Sequence, residues 1–288
     1  MRIIVGLVFS YFVWFMQSCT EVLPLRNQTV SIDSTYMATV IPSPQAKVVL
    51  LEEYTGASCV NCPDGHRIVK EISNQFGENV VAVGLHPKEN SLSEPAVEGG
   101  EDLRTEEAKQ IANNFKVSAL PNGTIDRKEF DGSIIQGRDE WKQKVINVIN
   151  NPVKVNAKSK VSYDDLIDKN IFELEFTILE DIAIDLTYSI MLIENKVNAP
   201  QKKGSDILNP YIHEHVLRKM LTNSLGSSLK KVEKDGSGYK KGRVFLKKIS
   251  LEDFTKTKYK SENLYLVSFV SNGATNEVIQ TTITKVKN

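Results

Sequence analysis

The sequence has few cysteines and no excess of charge of either sign. Its 288 residues include three cysteines and four histidines, and no second C-x-x-C pair accompanies the one at residues 59–62. A zinc site built from two such pairs is therefore excluded. Lys and Arg together number 36, as do Asp and Glu, so the formal net charge is zero. This balance does not favour binding to nucleic acid, nor a polybasic patch for membrane lipids.

One long apolar run is present, and it lies at the N-terminus. Residues 3–16 are almost entirely apolar and follow Arg2, which is the pattern of a secretory signal peptide. The run is shorter than a membrane-spanning helix requires. Residues 16–19 resemble a relaxed bacterial lipobox, which predicts cleavage before Cys19 and diacylglyceryl modification of its sulfur. The alternative is an ordinary signal peptide in which Cys19 has no special role.

Cysteine usage favours the lipoprotein. Lipidation of Cys19 leaves Cys59 and Cys62, which can pair with each other. Export also places this pair in an oxidising compartment, where a disulfide persists. We therefore predict a signal peptide over residues 1–18. Residues 19–46 contain several prolines and are predicted to tether the folded body to the membrane.

The most informative stretch is residues 48–63. An apolar run leads into a Thr/Gly/Ser turn, and Cys59 and Cys62 follow directly before Pro63. This pattern predicts a buried strand, a turn and a helix whose first turn carries both thiols, where proline is well tolerated. The positive end of the helix dipole lowers the pKa of a thiol there. A thiol–disulfide oxidoreductase requires this arrangement, and the stretch resembles thioredoxin-like proteins.

The spacing of the two cysteines suggests a role for each. Cys59 is predicted to be the exposed attacking thiol, and Cys62 the more buried thiol that resolves a mixed disulfide. A purely structural disulfide is one alternative. Zinc is another, with His66 and His86 as the nearby ligands. Attachment of c-type haem is excluded because Pro63 follows the second cysteine. We predict no metal and no cofactor.

Two further residues complete the candidate site. Glu53 lies where thioredoxin-like proteins carry a buried carboxylate, and if it points inward it could exchange a proton with Cys62. The outward orientation stays open, because Glu52 and Glu53 are adjacent and must face opposite sides of a strand. Pro121 resembles the cis-proline that faces the disulfide in such proteins and pairs with the substrate backbone.

The chain is long enough for two domains. Residues 47–151 are predicted to form an α/β thioredoxin-like domain. Within it, residues 86–101 form a long loop that either shapes a substrate surface or is an ordinary surface excursion. Beyond residue 152 the apolar periodicity changes to two over about seven short segments. Residues 152–288 are therefore predicted to form an all-β, immunoglobulin-like sandwich.

One chemically notable stretch lies in the second half. His213 and His215 would face the same side of a strand, which permits metal binding. Two histidines are only half of a metal site, so a structural or interdomain contact is favoured over a metal.

Three motifs together resemble the bacterial outer membrane protein 28-related lipoproteins. This resemblance implies an outer-membrane lipoprotein, anchored by lipid and facing the periplasm or the cell surface. The C-x-x-C at the start of a helix and Pro121, rather than the resemblance, predict thiol–disulfide exchange on exported proteins. The alternative is a surface-binding, adhesin-like lipoprotein in which the Cys59–Cys62 disulfide is only structural. The motifs are Leu51-Glu52-Glu53-Tyr54-Thr55-Gly56, Cys59-Val60-Asn61-Cys62-Pro63 and His213-Glu214-His215-Val216-Leu217-Arg218.

Overall fold

The computed structural model describes residues 31–232 and 238–286. The predicted signal peptide and the predicted lipidation site, Cys19, lie outside these ranges. Within them, no helix combines the length and the apolar character needed to cross a membrane.

Strands dominate the described residues. The helices are α1 (Cys62–Phe76), α2 (Glu106–Asn114) and α3 (Trp141–Val148). The strands up to residue 178 are β1 (Ser31–Met37), β2 (Val49–Tyr54), β3 (Val80–Leu85), β4 (Asn122–Ile125), β5 (Gln136–Gly137), β6 (Val155–Asp164) and β7 (Lys169–Ile178). The later strands are β8 (Leu186–Glu194), β9 (Val197–Asn198), β10 (Gln201–Lys203), β11 (Asp206–Leu208), β12 (Ile212–His213), β13 (Val216–Met220), β14 (Ser227–Ser228), β15 (Arg243–Ser250), β16 (Leu264–Asn272) and β17 (Val278–Lys285).

A mixed nine-stranded sheet joins the two halves of the chain. Its order is β17-β16-β8-β13-β3-β2-β4-β5, and β14 pairs with β8. Strands β2 and β3 are parallel, and β13 of the second half runs parallel to β3 through the pair Val216–Gly84. The Gly84 N–H donates to the carbonyl of His215 at 2.8 Å. The sheet therefore continues across the boundary predicted at residue 151.

A second, antiparallel sheet has the order β1-β15-β7-β6. Phe172 and Phe176 on β7 pack with Ile190 on β8 and Leu266 on β16, so the two sheets enclose a common core. This arrangement fits the sandwich predicted from the alternating apolar residues. Strand β1 comes from the segment predicted as a tether. It pairs with β15, which would otherwise present an unpaired edge.

Strand β2 is buried on both faces, and this places the two adjacent glutamates. Leu51 packs against α1 and α3, whereas Leu50 packs against α2 and the strands of the second half. Glu52 lies on the α2 face, where Arg127 donates to both of its oxygens at 2.6 and 2.8 Å. Glu53 consequently lies on the face that carries α1.

Candidate functional site

The two cysteines form a disulfide at the start of α1. Cys62 is the first residue of the helix, Pro63 follows it, and the Cα atoms of Cys59 and Cys62 are 5.4 Å apart. The Cys62 N–H donates to the carbonyl of Cys59 at 3.2 Å, which closes the turn between them. The sequence predicted both thiols in the first turn of the helix. Cys62 lies there, next to a proline that fits this turn, whereas Cys59 lies in the turn that precedes the helix.

The prediction that Cys59 is exposed is wrong. Cys59 is 2% exposed and Cys62 is fully buried. The hairpin of β10 and β11 lies over the turn: the Gln201 side-chain amide donates to the carbonyls of Gly56 at 3.1 Å and Cys59 at 3.0 Å. The Lys202 N–H donates to the carbonyl of Ala57 at 2.9 Å. The cover comes from the second half of the chain, so local sequence around the cysteines carries no signal for it.

The long loop over residues 86–101 contacts the same turn from another side. The Ser58 N–H donates to the carbonyl of Leu92 at 3.0 Å, and the Ser93 hydroxyl donates to that of Thr55 at 3.1 Å. Gly56 has no room for a side chain, because a Cβ there would collide with the carbonyl of Leu92. The loop therefore borders the disulfide; its use as a substrate surface stays a prediction.

Glu53 lies beneath the first turns of α1, which is the inward of the two orientations left open. It is 4% exposed, and its Oε1 has no hydrogen-bond partner among the described residues. Burial raises the pKa of this carboxyl well above its usual range. The Oε1 atom is 3.8 Å from His66 Nε2, which is too long for a direct hydrogen bond.

Pro121 lies close to the same part of α1. The peptide bond between Leu120 and Pro121 is cis. A Cβ added to Gly65 would lie 3.2 Å from Pro121 Cβ and would collide with Glu53 Oε1. The absence of a side chain at Gly65 thus lets the helix, the buried carboxyl and the proline approach one another. The pairing of Pro121 with a substrate backbone stays a prediction.

All four histidines of the sequence line one cavity of about 570 Å³ beside Glu53. His66 comes from α1, His86 follows β3, and His213 and His215 lie at and after β12. The ring centroid of His213 is 5.7 Å from that of His66 and 5.8 Å from that of His86. The sequence predicted a structural or interdomain contact for His213 and His215, but it carried no signal that His66 and His86 share their cavity.

The buried histidines are held in the neutral form. Burial lowers the pKa of His66 to about 3 and that of His213 to about 4. Burial also lowers the pKa of His86 well below its usual range, and neither of its ring nitrogens has a partner among the described residues. Across residues 31–232 and 238–286, no group of three or more His, Cys, Asp or Glu side chains is arranged to hold a metal ion.

One of these histidines connects the buried carboxyl to the cavity. His66 Nε2 is 2.8 Å from the Thr55 hydroxyl, and Nδ1 is 2.7 Å from the Tyr211 hydroxyl. Tyr211 is only partly buried, and burial raises its pKa to about 12, so its hydroxyl stays protonated. No local pattern singles out Tyr211, because it lies 145 residues from His66.

These features define a mainly β protein that carries a buried C-x-x-C disulfide at a helix N-terminus, next to a histidine-lined cavity formed by both halves. The family model for the outer membrane protein Omp28 matches residues 108–288, which is more than half of the chain. The chain belongs to the Omp28 family, as the three motifs predicted, and it is an outer-membrane protein. No curated protein matches the chain significantly.

Two solved structures share the fold at low sequence identity, and a third matches less than half of this chain. HBP35 of Porphyromonas gingivalis is 15% identical with a TM-score of 0.64, over 86% of this chain and 77% of that one. A protein from Agrobacterium tumefaciens is 11% identical with a TM-score of 0.51, over 84% of this chain and 95% of that one. A domain of the outer membrane lipoprotein Omp28 from Porphyromonas gingivalis is 20% identical with a TM-score of 0.31, over 46% of this chain and 88% of that one.

Proposed function

We propose that this protein is a lipid-anchored outer-membrane lipoprotein whose Cys59–Cys62 pair exchanges disulfides with exported proteins. Membership of the Omp28 family supports the outer-membrane location. The apolar N-terminus and the lipobox-like residues before Cys19 support the lipid anchor. The predicted partners are exported proteins that carry thiols or disulfides.

The order of elements around the disulfide supports a thioredoxin-like assignment for residues 47–151. Strand β2 leads into the C-x-x-C helix α1, and β3, α2, Pro121, β4 and α3 follow in that order. The sequence predicted the same succession of strand, C-x-x-C helix, strand, helix, proline, strand and helix.

The observation that carries the proposal is the buried carboxyl of Glu53, whose Oε1 has no hydrogen-bond partner within the part of the chain that the structure describes. A disulfide that only stabilises the fold does not need an acid beneath its helix. Leaving a buried polar group without a partner costs about 1–3 kcal/mol, so its presence calls for a functional explanation. A carboxyl that burial keeps protonated can supply a proton when a disulfide opens.

In the proposed disulfide exchange, Cys59, Cys62 and Glu53 each have one role. A substrate thiolate attacks Cys59 Sγ, forming a mixed disulfide and breaking the bond to Cys62. The electron pair of the broken bond stays on Cys62, whose thiolate takes the proton of Glu53. A second substrate thiolate then attacks the substrate sulfur of the mixed disulfide and releases the Cys59 thiolate. The substrate loses two electrons and the protein pair gains them.

The first test is the reduction potential of the Cys59–Cys62 pair in the full-length protein in detergent. Alkylation of free thiols is followed in the same titration, with Cys59→Ser as the control that cannot form the disulfide. We expect a potential of roughly −120 to −270 mV, the range of exchange catalysts, with Cys59 as the reactive thiol. A potential below about −300 mV with both thiols unreactive would overturn the proposal.

Burial of both sulfurs favours a second candidate, a surface-binding lipoprotein with a structural disulfide. The hydrogen bonds from Gln201 to the carbonyls of Gly56 and Cys59 hold a cover over the pair. Under this candidate, replacing both cysteines with serine lowers stability and leaves partner binding intact. The potential measurement separates the two candidates, because only an exchange catalyst needs a readily reduced pair.

A further inference from the structure

We propose that His66 and Tyr211 carry protons between Glu53 and the solvent, so that Glu53 can act repeatedly. The proposal rests on the proposed function, since it concerns the acid that serves the Cys59–Cys62 pair. It assigns a role to two residues that the exchange chemistry leaves unused.

Glu53 needs such a path because of its enclosure. It is 4% exposed and lies between strand β2 and helix α1, where its Oε1 has no hydrogen-bond partner among the described residues. Once Glu53 has given its proton to a thiolate, the resulting carboxylate is a charge in a poorly solvated position. Glu53 lines the same cavity as His66 and Tyr211 but is almost wholly buried, so a group that reaches both the carboxyl and the solvent would speed its reprotonation.

His66 is placed to do this. It lies one helical turn after Cys62 on α1, with Nε2 3.8 Å from Glu53 Oε1. A small side-chain movement would close that gap; in the structure the same nitrogen is 2.8 Å from the Thr55 hydroxyl. On its other side, Nδ1 is 2.7 Å from the hydroxyl of Tyr211. Tyr211 is partly exposed and lines the cavity of about 570 Å³.

The proton transfers balance over a full cycle. When the disulfide is reduced, Tyr211 gives its hydroxyl proton to His66 Nδ1, the proton on Nε2 passes to the Glu53 carboxylate, and solvent reprotonates Tyr211. When the pair is reoxidised, the protons move in the opposite direction and restore the first tautomer. The imidazole stays neutral between steps, which agrees with the low pKa that burial gives His66.

Several other ionisable groups face this path and set its electrostatic surroundings. They come from α1 and from the segments that line the cavity opposite it. They are Arg67, Lys70, His86, His213, Glu214 and His215.

The test follows reduction of the Cys59–Cys62 disulfide in the full-length protein by dithiothreitol, at pH values from 5 to 9. We expect His66→Ala to slow reduction about tenfold or more at neutral pH, because general acid–base assistance is lost. Added imidazole should restore part of the rate by filling the vacated space. Tyr211→Phe, which removes only a hydroxyl, should also slow the reaction. Glu71→Gln, at an exposed position of α1 that does not line the cavity, is the matched control.

A double variant separates proton transfer from His66 to Glu53 from a purely structural role of His66. If His66 acts through Glu53, His66→Ala should cause no further slowing in a Glu53→Gln background, and the reduction potential should barely change. If His66→Ala is reduced as fast as wild type, the proposed proton transfer is overturned. It is also overturned if added imidazole does not restore the rate of His66→Ala and if His66→Ala slows reduction further in the Glu53→Gln background. If the wild-type pair cannot be reduced at all, the proposed function fails, and that result is distinct from the others.

Discussion

At the scale of single residues, two adjacent glutamates illustrate how burial assigns different chemistry to the same side chain. Glu52 meets Arg127, whose guanidinium also lies over the rings of Phe115 and Phe269 at 5.2 and 5.0 Å. Glu53, on the opposite face, forms no ion pair with a Lys or Arg of residues 31–232 and 238–286. Glu52 is thus a paired structural charge, whereas Glu53 is left available for proton transfer.

The pH dependence of stability tests the state of Glu53. Its pKa is raised in the folded protein, so the native state holds a proton that the unfolded chain releases above pH 4.5, the ordinary value for this group. Stability is therefore lost as the pH rises from about 4.5 through the folded pKa. We expect Glu53→Gln to be more stable than wild type at pH 8, by on the order of 1–3 kcal/mol, with the difference vanishing near pH 4.5.

Urea unfolding of both proteins between pH 4.5 and 8 measures this difference. The low pKa values of the buried histidines also make stability fall as the pH drops below about 6.5, but that effect is common to both proteins and cancels. Glu71→Gln is the matched control, because Glu71 is an exposed residue of α1. A constant difference between wild type and Glu53→Gln across the pH range would contradict a protonated Glu53.

At the scale of elements, the hairpin of β10 and β11 decides whether the disulfide is accessible. Gln201 is fully buried, and its amide donates to the carbonyls of Gly56, Cys59 and Lys202. Further along the hairpin, the N–H of Gly204 donates to the carbonyl of Val60 at 3.4 Å. Exchange with a protein substrate therefore requires the hairpin to move away from the C-x-x-C turn.

Weakening this cover should increase the reactivity of the pair. Gln201→Ala removes the hydrogen bonds that tie the hairpin to the carbonyls of Gly56 and Cys59, which keep only their backbone donors, the N–H groups of Cys59 and Cys62. Each lost hydrogen bond is worth about 0.5–1.5 kcal/mol, so the loss favours opening of the hairpin. We expect reduction by dithiothreitol to accelerate about five- to tenfold or more, since 1.4 kcal/mol corresponds to a factor of ten. Lys203→Ala, at an exposed position of the same hairpin, should leave the rate unchanged. Equal rates for wild type and Gln201→Ala would show that the hairpin does not limit access.

At the scale of the whole molecule, the large sheet links the two halves. Strand β3 lies between β2 of the first half and β13 of the second. Met191, Leu217 and Phe269 of the second half share a core with Leu50 of β2. Separating the halves would expose this apolar surface and a sheet edge, so we expect them to unfold together.

Trp141 offers a probe for this cooperativity. It is fully buried in the first half and is the one tryptophan after the predicted signal peptide. We expect urea unfolding followed by Trp141 fluorescence to coincide with unfolding followed by far-ultraviolet circular dichroism. Phe172→Ala, a core substitution in the second half that costs about 3–5 kcal/mol, should lower both midpoints equally. A shift confined to the dichroism signal would indicate two independently folding units.

Much of the local structure could be read from the sequence. The apolar run before the cysteines, Pro63 after them and the alternation around Phe172 depend on interactions within a few residues, so pattern was enough to predict β2, α1 and β7. The motifs around Cys59 and His213 were also enough to predict the Omp28 family.

Only the tertiary structure decided which of these residues meet. The burial of Cys59 depends on Gln201, and the position of Glu53 relative to His66 and Tyr211 depends on how β2, α1 and the segment before β12 pack together. The contacts of Gln201 with Cys59 and of Tyr211 with His66 join residues more than a hundred positions apart. They form because two apolar sheet faces must be covered at once. Periodicity records which side of an element is buried, but not which distant element covers it.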